Sequence, residues 1–172
     1  MINKLLLTKK ITQIIGYLKE IEPLAKLDYY DFISDYKNYR TVERSIQLII
    51  DTAVDINNHI ILETNLAPAD DYYTSFTRLA QAKVYSPDFS KQIAESAGLR
   101  NKLVHIYEVI DLEKLHGDLQ NDIKDYYKYI KYIESFLKKI KLSNIEQAHG
   151  LWRKKPRTQH NLTTVRKRLW KQ

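Results

Sequence analysis

Apolar residues return every three or four positions along most of this chain, the spacing that lines one face of an α-helix. The first stripe, Ile11, Ile14, Ile15, Leu18 and Ile21, predicts a helix from about Asn3 to Glu22. Pro23 should end it, because the residue before a proline is pushed away from helical geometry. Tyr39, Val42, Ile46, Ile49, Ala53, Ile56 and Ile60 alternate spacings of three and four, the seam of a long bundle helix. That helix is predicted to begin between Asp28 and Asp35 and to end near Glu63, before a loop marked by Asn65 and Pro68. A third helix runs from Asp71, its cap, to about Lys83, with Phe76, Leu79 and Ala80 facing inward. Ser86-Pro87-Asp88 restarts the chain with a capping serine, a first-turn proline and an acid at the positive helix end. The fourth helix carries Phe89, Ile93 and Ala97. Asp111 caps a fifth, whose stripe from Leu112 to Ile140 extends it to about Lys141. Gly117 is tolerated inside it at a cost of about 1 kcal/mol. No repeat interrupts the series, and the fold class is all-α, an antiparallel bundle of about five helices.

Charge changes this picture in one place. The chain carries a formal net charge of +7, but the basicity is concentrated at the C-terminus. From Ala148 to Gln172 there are eight Lys and Arg and no acid, whereas residues 1–147 hold 20 basic and 21 acidic residues. The predicted organisation is therefore a helical domain over 1–141 and a basic tail over 142–172. The tail's periodicity is weak, and it is expected to be flexible or foreign to the native chain rather than an RNA-binding arm. There is no cysteine, which removes disulfides and thiolate metal sites and fits a reducing compartment. The N-terminal apolar run is three leucines, too short for a signal peptide, and no window approaches a membrane span. A soluble cytoplasmic protein without membrane contact is expected.

Candidate chemistry gathers in Arg100-Asn101-Lys102-Leu103-Val104-His105-Ile106-Tyr107, where a guanidinium, an amide, an imidazole and a phenol fall within eight residues. Histidine titrates near neutrality and can take a proton from an RNA 2′-hydroxyl. Arginine can hold a phosphate bidentately and stabilise its developing charge. No metal is required, because the nucleophile belongs to the substrate. On a regular helix Asn101 and His105 share a face, but Arg100 and His105 lie about 140° apart. They converge only across two copies of the motif, at a distorted helix end, or if the Arg side chain bends back. The plainer interpretation stands beside this one: a lone histidine on an amphipathic helix is usually structural, and Arg100 and Lys102 would suit a helix C-terminus.

Elsewhere, Asp51, Asp55 and His59 lie at i, i+4 and i+8. They form a polar strip better read as a solvated or cleft-facing surface than as a metal site, and Asp51 or Asp55 could orient Arg100 or His105. Tyr126, Tyr127, Tyr129 and Tyr132 alternate with Lys128 and Lys131, a pattern that can stack bases, although Tyr126 falls on the apolar stripe. His116, His149 and His160 have no companion at metal-ligand spacing. No glycine pattern for nucleotide triphosphates is present.

The stretch Ala97–Tyr107, followed by Ile110-Asp111, resembles the Arg-x4-His-x-Tyr signature of HepT-like proteins in the HEPN superfamily. The likeness extends to Val42-Glu43-Arg44, to Ile56–Ile60 and to Tyr73–Phe76 with Leu79-Ala80, and excludes the tail. The resemblance implies a HEPN-type bundle that forms homodimers, the two motifs meeting in a cleft. It further implies a metal-independent endoribonuclease, the toxin of a toxin–antitoxin pair, with Arg100 and His105 catalytic and Asn101 supporting. Tyr107 matches the tyrosine that a nucleotidyltransferase antitoxin of the MntA type modifies with AMP, so AMP is expected only as a covalent mark and no cofactor is expected. The competing interpretation is a non-catalytic helical module that binds a nucleotidyltransferase or a nucleotide.

Overall fold

The structure is a computed structural model that describes residues 2–104 and 110–153, with side chains through residue 140. Seven α-helices occur among the described residues: α1 (Lys4–Ile21), α2 (Tyr29–Ser34), α3 (Tyr36–Glu63), α4 (Tyr72–Gln81), α5 (Pro87–Ala94), α6 (Ser96–Val104) and α7 (Leu112–Arg153). Side-chain caps start most of them. Asn3, Asp28, Asp35, Asp71, Ser86 and Asp111 each accept a backbone N–H two or three residues on, an interaction that typically contributes about 1 kcal/mol per helix.

The helices lie where the apolar stripes put them, with four differences. Asp35 adopts an extended backbone and caps a new helix, so the long second helix is preceded by the separate α2. The fourth predicted helix is likewise two. Ser96 Oγ donates to the Ile93 carbonyl at 2.6 Å, competing with the helical ladder, and the chain re-forms as α6. Glu22 keeps helical dihedrals although Pro23 follows. The missing N–H of the proline ends the ladder, and the chain continues into a short 3-10 turn, Leu24–Lys26. Finally, α7 does not stop near Lys141 but continues to Arg153. The residues from Leu142 to Arg153 include no proline, and helix continuation needs only tolerable propensity, not an apolar stripe. Most of the predicted tail lies outside the described residues.

Residues Met1–Leu137 form one compact unit and Lys138–Gln172 a second. In the first, α1 runs antiparallel to α3: the Asn3 backbone N–H donates to His59, Lys10 pairs with Asp55, and Ser45 donates to Glu20. α7 also runs antiparallel to α1, as Lys4 meets the Leu137 carbonyl and Tyr127 donates to Glu22. Leu7, Ile14 and Leu18 of α1, Val42, Ile49 and Ile56 of α3, and Leu119 and Ile133 of α7 are almost wholly buried in one continuous core. Each such side chain is worth about 1.5–3 kcal/mol relative to exposure. No helix among the described residues is long and apolar enough to cross a membrane.

Candidate active site

Three helices bring one arginine under control. Arg100, on α6, donates from Nε to Asp51 Oδ1 of α3 at 3.1 Å. Tyr72, the first residue of α4, donates its hydroxyl to the same carboxylate oxygen at 3.0 Å. The Arg100 guanidinium carbon also stands 4.7 Å from the centre of the Tyr72 ring, within cation–π range. The pair is half-sheltered, with 24% of the Arg100 side chain and 34% of Asp51 exposed. Burial, then the hydrogen bond and charge of Asp51, raise the Tyr72 phenol above its ordinary pKa, so it stays protonated and a donor.

A buried polar chain mounts this group. Tyr129 of α7 donates to Asn57 Oδ1 at 2.8 Å, Asn57 Nδ2 donates to Ser75 Oγ at 3.3 Å, and Ser75 Oγ donates to the Tyr72 carbonyl at 2.7 Å. Asn57, Ser75 and Tyr129 are fully buried. The first turn of α4, and with it Tyr72, is therefore set by bonds reaching from α3 and α7. Buried bonds of this kind fix geometry strongly, because breaking one strands a desolvated group.

The other predicted residues separate. Asn101 is exposed on α6. His105 and Tyr107 lie outside the described residues. Asp55 forms an ion pair with Lys10 at 2.7 Å and His59 accepts the Asn3 N–H, so the Asp51–Asp55–His59 strip is drawn to three different partners. The described residues include no group of three or more acids and histidines placed to hold a metal. The tyrosine–lysine pattern on α7 does not make a stacking surface: Tyr126 and Tyr129 are core residues, and Tyr132 packs against Tyr85 and Phe89. Tyr127 is held by Glu22, and Lys128 lies over Phe89. Sequence reasoning missed Tyr72. Its one local signal is the N1 position after a capping aspartate, which says nothing of a partner 21 residues upstream.

Another face of α6 borders a cavity of about 540 Å³ against α5 and the start of α7. Leu99, Leu103, Ile110 and Leu115 supply apolar walls, and Asp118, Asp122 and Asp125 converge on it. Arg100 does not line it.

An all-α bundle that clamps one arginine on a short helix, in an Arg-x4-His-x-Tyr sequence, defines a protein of the HEPN class. The chain belongs to the ribonuclease HepT-like family, whose model matches residues 14–133. It is 32% identical over 126 residues to the tRNA nuclease HepT of Aphanizomenon flos-aquae, covering 73% of this chain and 86% of that protein. It is 27% identical over 130 residues to the mRNA nuclease HepT of Shewanella oneidensis, covering 76% and 97% respectively. Among solved structures it resembles the tri-AMPylated Shewanella oneidensis HEPN toxin in complex with its MNT antitoxin. The TM-score there is 0.70 at 27% identity, over 76% of this chain and 97% of that one.

Proposed function

We propose that this chain is the toxin of a toxin–antitoxin pair, a cytoplasmic endoribonuclease that needs no metal. It would work as a homodimer on RNA and be silenced by a nucleotidyltransferase antitoxin of the MntA type. The observation that carries the proposal is the clamped Arg100: with Nε on Asp51 and the Tyr72 ring beside it, Nη1 and Nη2 have no partner among the described residues, which leaves them for an anion. In the reaction, His105 accepts the 2′-hydroxyl proton as O2′ attacks the adjacent phosphorus. Arg100 stabilises the charge gathering on the non-bridging oxygens, and Asn101 supports the pair. The bond to O5′ breaks, O5′ takes up a proton, and the products are a 2′,3′-cyclic phosphate and a 5′-hydroxyl. Asp51 orients Arg100, and Asp55 adds negative charge on the same face of α3. In silencing, the antitoxin transfers AMP from ATP to the Tyr107 hydroxyl with release of pyrophosphate. The added phosphate then opposes the RNA by bulk and by charge. The domain carrying this chemistry is residues 1–141, and the basic tail 142–172 is dispensable for it.

The test is incubation of the unmodified protein with RNA in EDTA, beside His105→Ala and Arg100→Ala. Cleavage that persists with the chelator and falls by about 100-fold or more in each variant is expected, the scale of a lost acid–base or charge-stabilising group. Cleavage abolished by EDTA, or retained by both variants, overturns the mechanism and favours the non-catalytic binding module. Co-expression with the antitoxin should add AMP to the wild-type mass and leave Tyr107→Phe unchanged.

A further inference from the structure

We propose that Tyr72 is a positioning residue for Arg100. Together with Asp51, it commits the guanidinium to meet the RNA phosphate end-on, through Nη1 and Nη2. The proposal rests on Arg100 serving RNA as described above and assigns the device that aims it.

A guanidinium can grip a phosphate in two bidentate ways, side-on through Nε and one Nη, or end-on through both Nη atoms. Here the side-on edge is occupied, since Nε donates to Asp51 Oδ1 at 3.1 Å. No partner for Nη1 or Nη2 occurs among the described residues. Among the described residues, the end-on grip is thus the one left open.

Asp51 alone would not hold that orientation. A single hydrogen bond to a half-exposed carboxylate leaves the side chain free to rotate about it. Tyr72 restrains both partners at once, its hydroxyl holding Oδ1 at 3.0 Å and its ring lying against the guanidinium, whose carbon stands 4.7 Å from the ring centre. The backbone that carries Tyr72 is itself held. Tyr72 sits at the start of α4 after the Asp71 cap, and its backbone carbonyl is held by Ser75, which is buried with Asn57. A site is only as precise as the shell that supports it. A tyrosine kept only for packing would need neither the bond to the carboxylate that holds Arg100 nor the guanidinium against its ring.

The experiment is a double-mutant cycle in the full chain. Tyr72→Phe keeps the ring and removes the hydroxyl, and Tyr72→Leu removes both. Each is made with Arg100 intact and in an Arg100→Ala background. Two quantities are read: single-turnover cleavage of RNA, and affinity for a 2′-O-methylated RNA oligonucleotide, which lacks the nucleophile. With Arg100 present, Tyr72→Phe is expected to slow cleavage by about 5- to 10-fold and Tyr72→Leu by more, the scale of losing one or two restraining contacts. In the Arg100→Ala background both should leave RNA affinity within about 1.5-fold, because a positioning residue has nothing left to position. Wild-type cleavage by Tyr72→Leu, or an equal loss of affinity in both backgrounds, overturns the proposal. The near-isosteric Tyr72→Phe carries the test if Tyr72→Leu fails to fold. Arg100→Ala that binds and cleaves RNA like the wild type instead refutes the nuclease role of Arg100, a distinguishable failure.

Discussion

Asp51 and Arg100 are 49 positions apart in the chain, and 3.1 Å separates the carboxylate oxygen of one from the Nε of the other. Asp55, one turn further along α3, meets Lys10 instead and is 60% exposed. The two acids should therefore differ in effect. Asp51→Asn weakens a charge-assisted bond on the arginine that would act on the phosphate, and RNA cleavage should fall by about 10-fold. Asp55→Asn loosens a surface ion pair and should cost about 3-fold at most. Steady-state cleavage by the two variants, compared at one salt concentration, checks the ranking, and equal losses would count against it.

The cavity beside α6 should leave a signature in pH. Burial first, then the charges of Asp118 and Asp125, push the Asp122 carboxyl up to about 6. The same cavity is faced by Glu95 between α5 and α6, by Lys102 of α6, by the cap Asp111 and by Lys114 of α7. Between the ordinary carboxylate value of about 4 and that raised value, the folded chain holds a proton the unfolded chain has released. Stability therefore falls as pH rises through the window. Asp122→Asn should match the wild type near pH 4 and exceed it by about 1–2 kcal/mol at pH 7. Urea unfolding at a series of pH values reads this directly, and parallel curves would exclude the raised carboxyl.

Two helix ends adopt a left-handed residue without glycine. Val84 N–H bonds the Leu79 carbonyl and Lys83 N–H bonds Ala80, with Lys83 at φ 57°. Leu66 likewise reaches Ile61, with Asn65 at φ 55°. These are Schellman closures, which favour glycine because a Cβ is strained there. Lys83→Gly should raise stability by about 0.5 kcal/mol after the extra chain entropy of glycine is offset. Asn65→Gly should do less, since asparagine tolerates the conformation. Thermal unfolding of the two variants would show the order.

Asn57→Leu keeps the volume of a wholly buried side chain and removes its polar ends. Tyr129 then retains only the longer bond to the Ala53 carbonyl, and Ser75 only its bond to Tyr72. Loss of about 1 kcal/mol is expected, the net worth of a buried hydrogen bond, because both hydroxyls keep an acceptor. Chemical denaturation measures it, and a neutral or stabilising result would show that the network contributes little to stability.

The helices were legible because burial follows spacing: Ile46, Ile49, Ala53, Ile56 and Ile60 are all buried and all lie on the predicted seam. Breaks and ends were harder to read. The break at Asp35 depends on one capping contact, and the left-handed ends at Asn65 and Lys83 lack the glycine that signals them. Continuation of α7 to Arg153 was hidden because those residues carry no strong stripe. At the site, Arg100 could be singled out by the chemistry it shares with its neighbours in sequence. Asp51 was visible only as one acid of a strip, and nothing along the chain distinguishes it from Asp55. Which carboxylate meets Arg100 depends on how α3, α4 and α6 cross. Tyr72 was invisible for the same reason, since its role exists only across three helices.

The bonds joining Tyr129, Asn57 and Ser75 also bear on how this chain can drift in evolution. The three residues lie on α7, α3 and α4, and each supplies what another lacks. Replacing one alone leaves its neighbours worse off, whereas replacing them together with apolar residues of matching shape can be nearly neutral. Among relatives the three positions should therefore vary as a set, polar together or apolar together. A lineage that has lost the asparagine should have lost the tyrosine hydroxyl as well.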